Sequence, residues 1–188
     1  PWAAAVLDRN GKIGLSGKDV YTNYALCLPS GVPLVNAPRA RMQLLQPKGR
    51  DVAILYEYDS QSRHVRMTDA HAAKIAPSWY GESIGHYEGD TLVVDTIGID
   101  ERTWVDAFGT PHTKQLHVVE RFHLIEDGKV LEANIHVEDP GAFTMPWNAI
   151  QRFRQYEAAV RQVPIERLAQ LASGEEGPLI ERTCAENP

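Results

Sequence analysis

The chain predicts an all-β fold: an antiparallel meander of about eight short strands closed into a barrel, with short helices at its ends. A two-sheet β-sandwich is the alternative, because sequence does not fix closure. Three observations carry this prediction. Short runs rich in β-branched and aromatic residues recur at hairpin spacing, turn signals stand between them, and neither an internal repeat nor a low-complexity segment interrupts them. The clearest instance is Pro111 to Pro140, PHTKQLHVVERFHLIEDGKVLEANIHVEDP, in which Leu116–Leu124 and Val130–His136 flank Asp127-Gly128, the favoured two-residue type I′ turn.

With that dipeptide as the loop, Glu126 faces Lys129, and the register pairs Ile125 with Val130, His123 with Glu132, Glu120 with Ile135 and His117 with Glu138. One face then holds Leu116, Val118, Glu120, Phe122, Leu124, Leu131, Ala133, Ile135 and Val137, with Glu120 its only charge. The opposite face is mixed and largely ionisable, and includes His117, His123 and His136.

The other elements follow in order. Pro1–Leu7 reads as a short helix ending near Asn10-Gly11. Lys12 to Pro38 is broken by Pro29, Gly31, Pro33 and Pro38 and reads as an arm laid over the body. Strands are expected at Met42–Leu45, Val52–Tyr58 and Arg63–Met67, then a loop with a helical turn over Thr68–Ser78. A second hairpin follows, Trp79–His86 with Thr91–Ile97, turning around Glu88-Gly89-Asp90; Gly81 and Gly85 signal bending or close backbone approach. Ile99–His112 is the longest connection between strands, the length of a lid or binding loop. Ala149–Glu157 reads as the last strand, and Pro164–Ser173 as a helix with Pro in its first turn and Gly174 after its end. The 188 residues form one domain: an arm over 1–40, the barrel over 41–158, and a C-terminal helix and tail over 159–188.

Composition bounds the partners. A net charge of -6 and pI near 5.6, with Lys and Arg scattered, exclude a nucleic-acid or anionic-membrane partner. With mean hydropathy of -0.33 and no apolar run of about 18 residues, no membrane insertion is expected. There is no signal peptide, and a chain beginning at Pro1 reads as processed or trimmed. Cys27 and Cys184 allow one bridge or two buried thiols, and spacing leaves both open.

Several constellations have chemical potential. Gly81-Glu82-Ser83-Ile84-Gly85 matches a G-x-S-x-G nucleophile elbow, with Asp95 and His112 following in triad order. The context is wrong, because no helix follows Ser83, so it reads as a small residue in a crowded interior. His112, His117, His136 and Glu138 form an alternative set for one transition metal such as zinc, iron or copper; against it stands an outer face of cross-strand His–Glu pairs. Glu120 is the sharper anomaly. A carboxylate on an apolar face is protonated, paired with Arg63, Arg66, Arg152 or Arg154, or working as an acid or base. Asp95 is a second candidate inward carboxylate. Tyr56, Trp79, Tyr87, Trp104, Phe122 and Trp147 are candidates to line a pocket.

The stretches PSWYGESIGHYEGDTLVVDT, GTPHTKQLHVVERFHL, EDPGAFTMPW and CAEN resemble a group of exported bacterial proteins of unassigned function, over most of the chain from Pro1 to Asn187. The resemblance implies a lipocalin-like (calycin-type) β-barrel and a secreted or periplasmic location. Export would in turn favour a Cys27–Cys184 disulfide. It supplies no reaction. From the residues, the leading expectation is cofactor-independent acid/base catalysis (lyase, isomerase or hydrolase type) on a small, largely apolar or aromatic substrate. Glu120 would shuttle a proton, His112 or Asp106 assist, and Tyr87 or Trp104 orient the substrate. The rivals are a lipocalin-like carrier without chemistry, in which Glu120 neutralises an internal arginine, and a metal-dependent enzyme built on His117, His136 and Glu138.

Overall fold

The computed structural model describes residues 2–17, 28–37, 41–57 and 61–155. Cys27, Cys184, the predicted helix at Pro164–Ser173 and the expected strand ends at Tyr58 and Glu157 lie outside them. Eight strands follow in chain order: β1 (Met42–Leu45), β2 (Val52–Tyr56), β3 (Gln61–Arg66), β4 (Glu82–Glu88), β5 (Thr91–Ile97), β6 (His117–Ile125), β7 (Val130–Glu138) and β8 (Trp147–Arg154). They form one sheet in the order β1-β2-β3-β4-β5-β6-β7-β8, curled into a half-barrel. Among the described residues β1 and β8 are not paired, so the curl is not closed by hydrogen bonds, and a single sheet rules out the sandwich.

The β6–β7 hairpin has the predicted register, from His117 opposite Glu138 to Ile125 opposite Val130. Lys129 N–H donates to the Glu126 carbonyl across Asp127 (φ 53) and Gly128 (φ 81), the positive angles a type I′ turn requires. Alternation then decides burial. Val118, Glu120, Phe122, Ala133, Ile135 and Val137 are buried, while Leu124, near the turn, is exposed.

Five expectations are corrected. The meander is not wholly antiparallel: β3 and β4 run parallel and pair only at Val65 with Ser83 and Arg66 with Ile84. Parallel neighbours need a long return, and residues 67–81 supply it. That return has no helical turn, despite its alanines, because its polar contacts hold it extended: Ala72 N–H donates to Glu82, and Ser78 bridges to Ile99. Ser78–Gly81 is a turn, with Gly81 at φ 65, so β4 starts at Glu82 and not Trp79. The first helix, α1 (Trp2–Leu15), runs through Asn10-Gly11; Lys12 pairs with Asp8 one turn back, and Trp2 Nε1 donates to the Gly141 carbonyl. Finally, the arm is partly internal. A 3₁₀ turn at Leu34–Asn36 follows Pro33, and Val32 and Val35 enter the core beside Ile54, Tyr56, Val94 and Phe122, with Asn36 buried next to them.

The close approach expected at two glycines is present. A Cβ on Gly81 would lie 2.4 Å from the Ile97 carbonyl oxygen, and one on Gly85 would lie 2.8 Å from Val65. Gly128 has a similarly positive φ but open space around it. Gly128→Ala is therefore expected to cost about 1–2 kcal/mol from backbone strain alone, and Gly81→Ala clearly more, since overpacking adds about 1–3 kcal/mol. Urea unfolding midpoints of the two variants measure this order.

Candidate functional site

Inside the curl the apolar lining is interrupted by a polar cluster around Glu120. Glu120 is fully buried, and both carboxylate oxygens are occupied. Oε2 accepts from Arg63 Nη2 at 2.5 Å, and Oε1 accepts from Asn36 Nδ2 at 2.5 Å. Arg63, itself buried, also donates from Nε to Ser83 Oγ (2.9 Å) and from Nη2 to Thr96 Oγ1 (2.5 Å). Tyr56 closes the group by donating to Asn36 Oδ1 at 3.3 Å. Strand alternation explains the membership: Tyr56, Arg63, Ser83, Thr96 and Glu120 point inward from β2, β3, β4, β5 and β6.

Electrostatics holds this group in one state. Burial works to lower the Arg63 pKa, but the carboxylate of Glu120 beside it outweighs burial, and the guanidinium is held charged. Burial pushes Tyr56 up to about 12 and moves Tyr80 in the same direction, so both phenols are neutral donors.

Two members are incomplete. Arg63 Nη1 and the Tyr80 hydroxyl are buried without a hydrogen-bond partner. Buried polar groups are almost always satisfied, so an orphaned pair calls for a cause. Both residues line a slot of about 230 Å³ where β3 and β4 splay apart beyond their two paired residues; Ser62, Arg66, Glu82 and Ser83 also line it. A larger recess, about 480 Å³, lies along the turn from Glu138 to Pro146, with no orphaned buried group at it.

The outer face carries a different network. Asp95 lies there and not inward, because it alternates with Val94 and Thr96, which face the core and Arg63. Asp95 Oδ1 accepts from His117 Nε2 and from His71 Nε2, both at 3.0 Å. His117 Nδ1 faces Glu138 at 2.7 Å, His71 Nδ1 faces Glu82 at 3.1 Å, and Arg66 pairs with Glu82. A line of ionisable side chains thus crosses the sheet from β3 to β7, and His71 ties the 67–81 return down onto it. With a carboxylate at each ring nitrogen, His117 must donate from both. Its pKa is accordingly raised to about 9, by the hydrogen bond to Asp95 first, against burial, with Glu138 adding to the rise. Burial raises the Asp95 pKa, yet the hydrogen bonds from His117 and His71 outweigh it and the net shift is downward.

The remaining candidates are dispersed. His112 is buried away from Glu120: its Nδ1–H donates to the Thr113 carbonyl and Nε2 meets Thr103 Oγ1. Asp106 braces its own loop, accepting from Phe108 N, Thr110 N and Thr110 Oγ1. Ser83, Asp95 and His112 each have separate partners and form no triad. His136 Nδ1 contacts Asn148 and its Nε2 lies 3.9 Å from Glu138, which His117 meets as well; His112 has its own partners elsewhere, and among the described residues no group of three His, Cys, Asp or Glu side chains is placed to hold a metal. Of the aromatics, Tyr56 and Phe122 are in the core; Trp147 packs edge-on to Phe143; Trp79 lies under Arg102; Trp104 packs against Gly109; and exposed Tyr87 donates to Gln46. None of the six lines the slot. Asn36, His71 and Tyr80 were missed as site residues, since each joins its cluster from outside a strand.

His117 has a defined pH signature. A histidine whose folded pKa is raised from 6.5 to about 9 adds stability that is full below the unfolded value and is lost as pH rises through about 9. The loss is expected to be on the order of 2 kcal/mol after allowance for solvent screening. It is read as the difference in urea stability between the chain and His117→Gln from pH 6 to pH 10, and equal pH slopes would refute it. Comparison with protein-family models, curated proteins and solved structures finds no match for this chain, so its chemistry is argued from its own geometry.

Proposed function

We propose that this chain is a small-molecule binding protein whose site is the slot between β3 and β4, and that Glu120 is the anchor of that site and not a proton shuttle. The observation that carries this is the pair of buried, unpartnered donors, Arg63 Nη1 and the Tyr80 hydroxyl, at the slot. An orphaned buried donor costs about 1–3 kcal/mol, a cost that a ligand acceptor removes on binding. A proton shuttle requires a free carboxylate oxygen facing a substrate, whereas both oxygens of Glu120 are taken by Arg63 and Asn36. The role left for Glu120 is to hold the guanidinium in place, the carrier's arrangement. At about 230 Å³ the slot is smaller than the ~300–1,000 Å³ typical of drug-sized ligands, so it suits a small compound or one end of a larger one. Export to the periplasm or beyond is part of the same proposal and rests on the resemblance alone.

Glu120→Gln separates binding from catalysis. Leaving Arg63 charged and buried without its partner is expected to cost about 3–5 kcal/mol in urea unfolding. In an NMR screen of small oxygen-bearing compounds, hits are expected to shift Arg63 and Tyr80 and to be recovered unchanged. Conversion of a hit to product, abolished by Glu120→Gln in a folded variant, would establish the acid/base enzyme instead.

A further inference from the structure

The chemical class of the ligand follows from counting donors and charges at the slot, given that the slot binds a ligand at all. Arg63 has five N–H donors. Nε spends one on Ser83, Nη2 spends its two on Thr96 and Glu120, and Nη1, on a guanidinium that also interacts with Tyr56, completes no hydrogen bond of ordinary geometry. The Tyr80 hydroxyl adds another donor, and burial keeps it protonated. A matching group must accept hydrogen bonds at more than one lone pair, and carboxylate, phosphate and an uncharged carbonyl are the strong oxygen acceptors to weigh.

Charge decides among these. The guanidinium of Arg63 is already balanced by Glu120 at 2.5 Å, with both side chains essentially inaccessible to solvent. The slot's second guanidinium, Arg66, is paired with Glu82, which lines the slot as well. His64, also at the slot, faces Asp51 at 2.9 Å. No positive charge at the slot is left uncompensated. An anionic ligand would place a second negative charge next to the Glu120 carboxylate around one shared cation, and would lose its own hydration in doing so. A carbonyl oxygen offers two lone pairs to the orphaned donors and brings no charge.

We propose that the slot between β3 and β4 takes an uncharged carbonyl compound, a ketone, lactone or amide, whose oxygen accepts from Arg63 Nη1 and from the Tyr80 hydroxyl. Removal of the Tyr80 hydroxyl takes away one of these bonds and leaves the Arg63–Glu120 pair untouched. Because that hydroxyl has no partner in the unliganded protein, Tyr80→Phe is expected to fold.

The test is a titration of the full chain with cyclohexanone and, separately, with cyclohexanecarboxylate, followed by ¹⁵N–¹H NMR of the arginine side chains. Cyclohexanone is expected to shift the Arg63 Nη1 resonances and to bind more tightly than the carboxylate. Tyr80→Phe is expected to weaken cyclohexanone about 2- to 10-fold, the worth of one hydrogen bond. Tighter binding of the carboxylate at Arg63 overturns the assignment of class while leaving the binding site in place. Cyclohexanone binding unaffected by Tyr80→Phe overturns the part given to Tyr80. No shift at Arg63 or Tyr80 with either compound at high concentration overturns the binding site and the class together.

Discussion

The contact between Arg63 and Glu120 is the constraint on which the rest of the interior depends. Arg63 is on β3 and Glu120 on β6, three strand spacings apart in the sheet order. In a flat sheet those spacings amount to roughly 14 Å, with side chains standing parallel to one another. The curl of the sheet brings the inward side chains together and lets the two meet at 2.5 Å. The curl creates the concave interior in which the ion pair is buried. Ser83 and Thr96, on the two strands between, lie beside the guanidinium and take its other bonds.

Burying such a pair is not a cheap route to stability. Two ions removed from water recover their hydration energy only with good geometry and further hydrogen bonds, and apolar residues of the same volume often do as well. Here every oxygen of the carboxylate is bonded, while the guanidinium is left one nitrogen short. Arg63 itself lies on β3 where β3 and β4 part, at the one parallel strand junction among the described residues. The junction that keeps the sheet from being a plain meander is thus also the place of the proposed ligand slot.

The outer network serves the same junction from the other side. The 67–81 return brings the chain from β3 back to the start of β4 and delivers Tyr80 and Glu82 to the slot. His71 pins that return through Asp95 and Glu82, and His117 extends the line of ionisable side chains to Glu138. One hairpin strand therefore takes part in both systems, Glu120 on its inner face and His117 on its outer face.

By itself the sequence determined what depends on neighbouring residues. Turn chemistry at Asp127-Gly128 set the β6–β7 register, the alternation of side chains placed Glu120 inside, and most strand limits were legible to within a few residues. A pair with an arginine was one of three fates open to Glu120, and four arginines were possible on local grounds. Only the tertiary structure chose Arg63, 57 residues away, and added Asn36, 84 residues away, because curvature and the path of the N-terminal segment decide which inward side chains meet. The same holds for Asp95, whose strand pattern allowed it inside until the sheet set Val94 and Thr96 there. It holds too for the parallel step from β3 to β4, whose long return permits either pairing direction. The hairpin's carboxylate was readable from a period of two, but its partner, and the vacant donor that partner presents, were decided by how far the sheet bends.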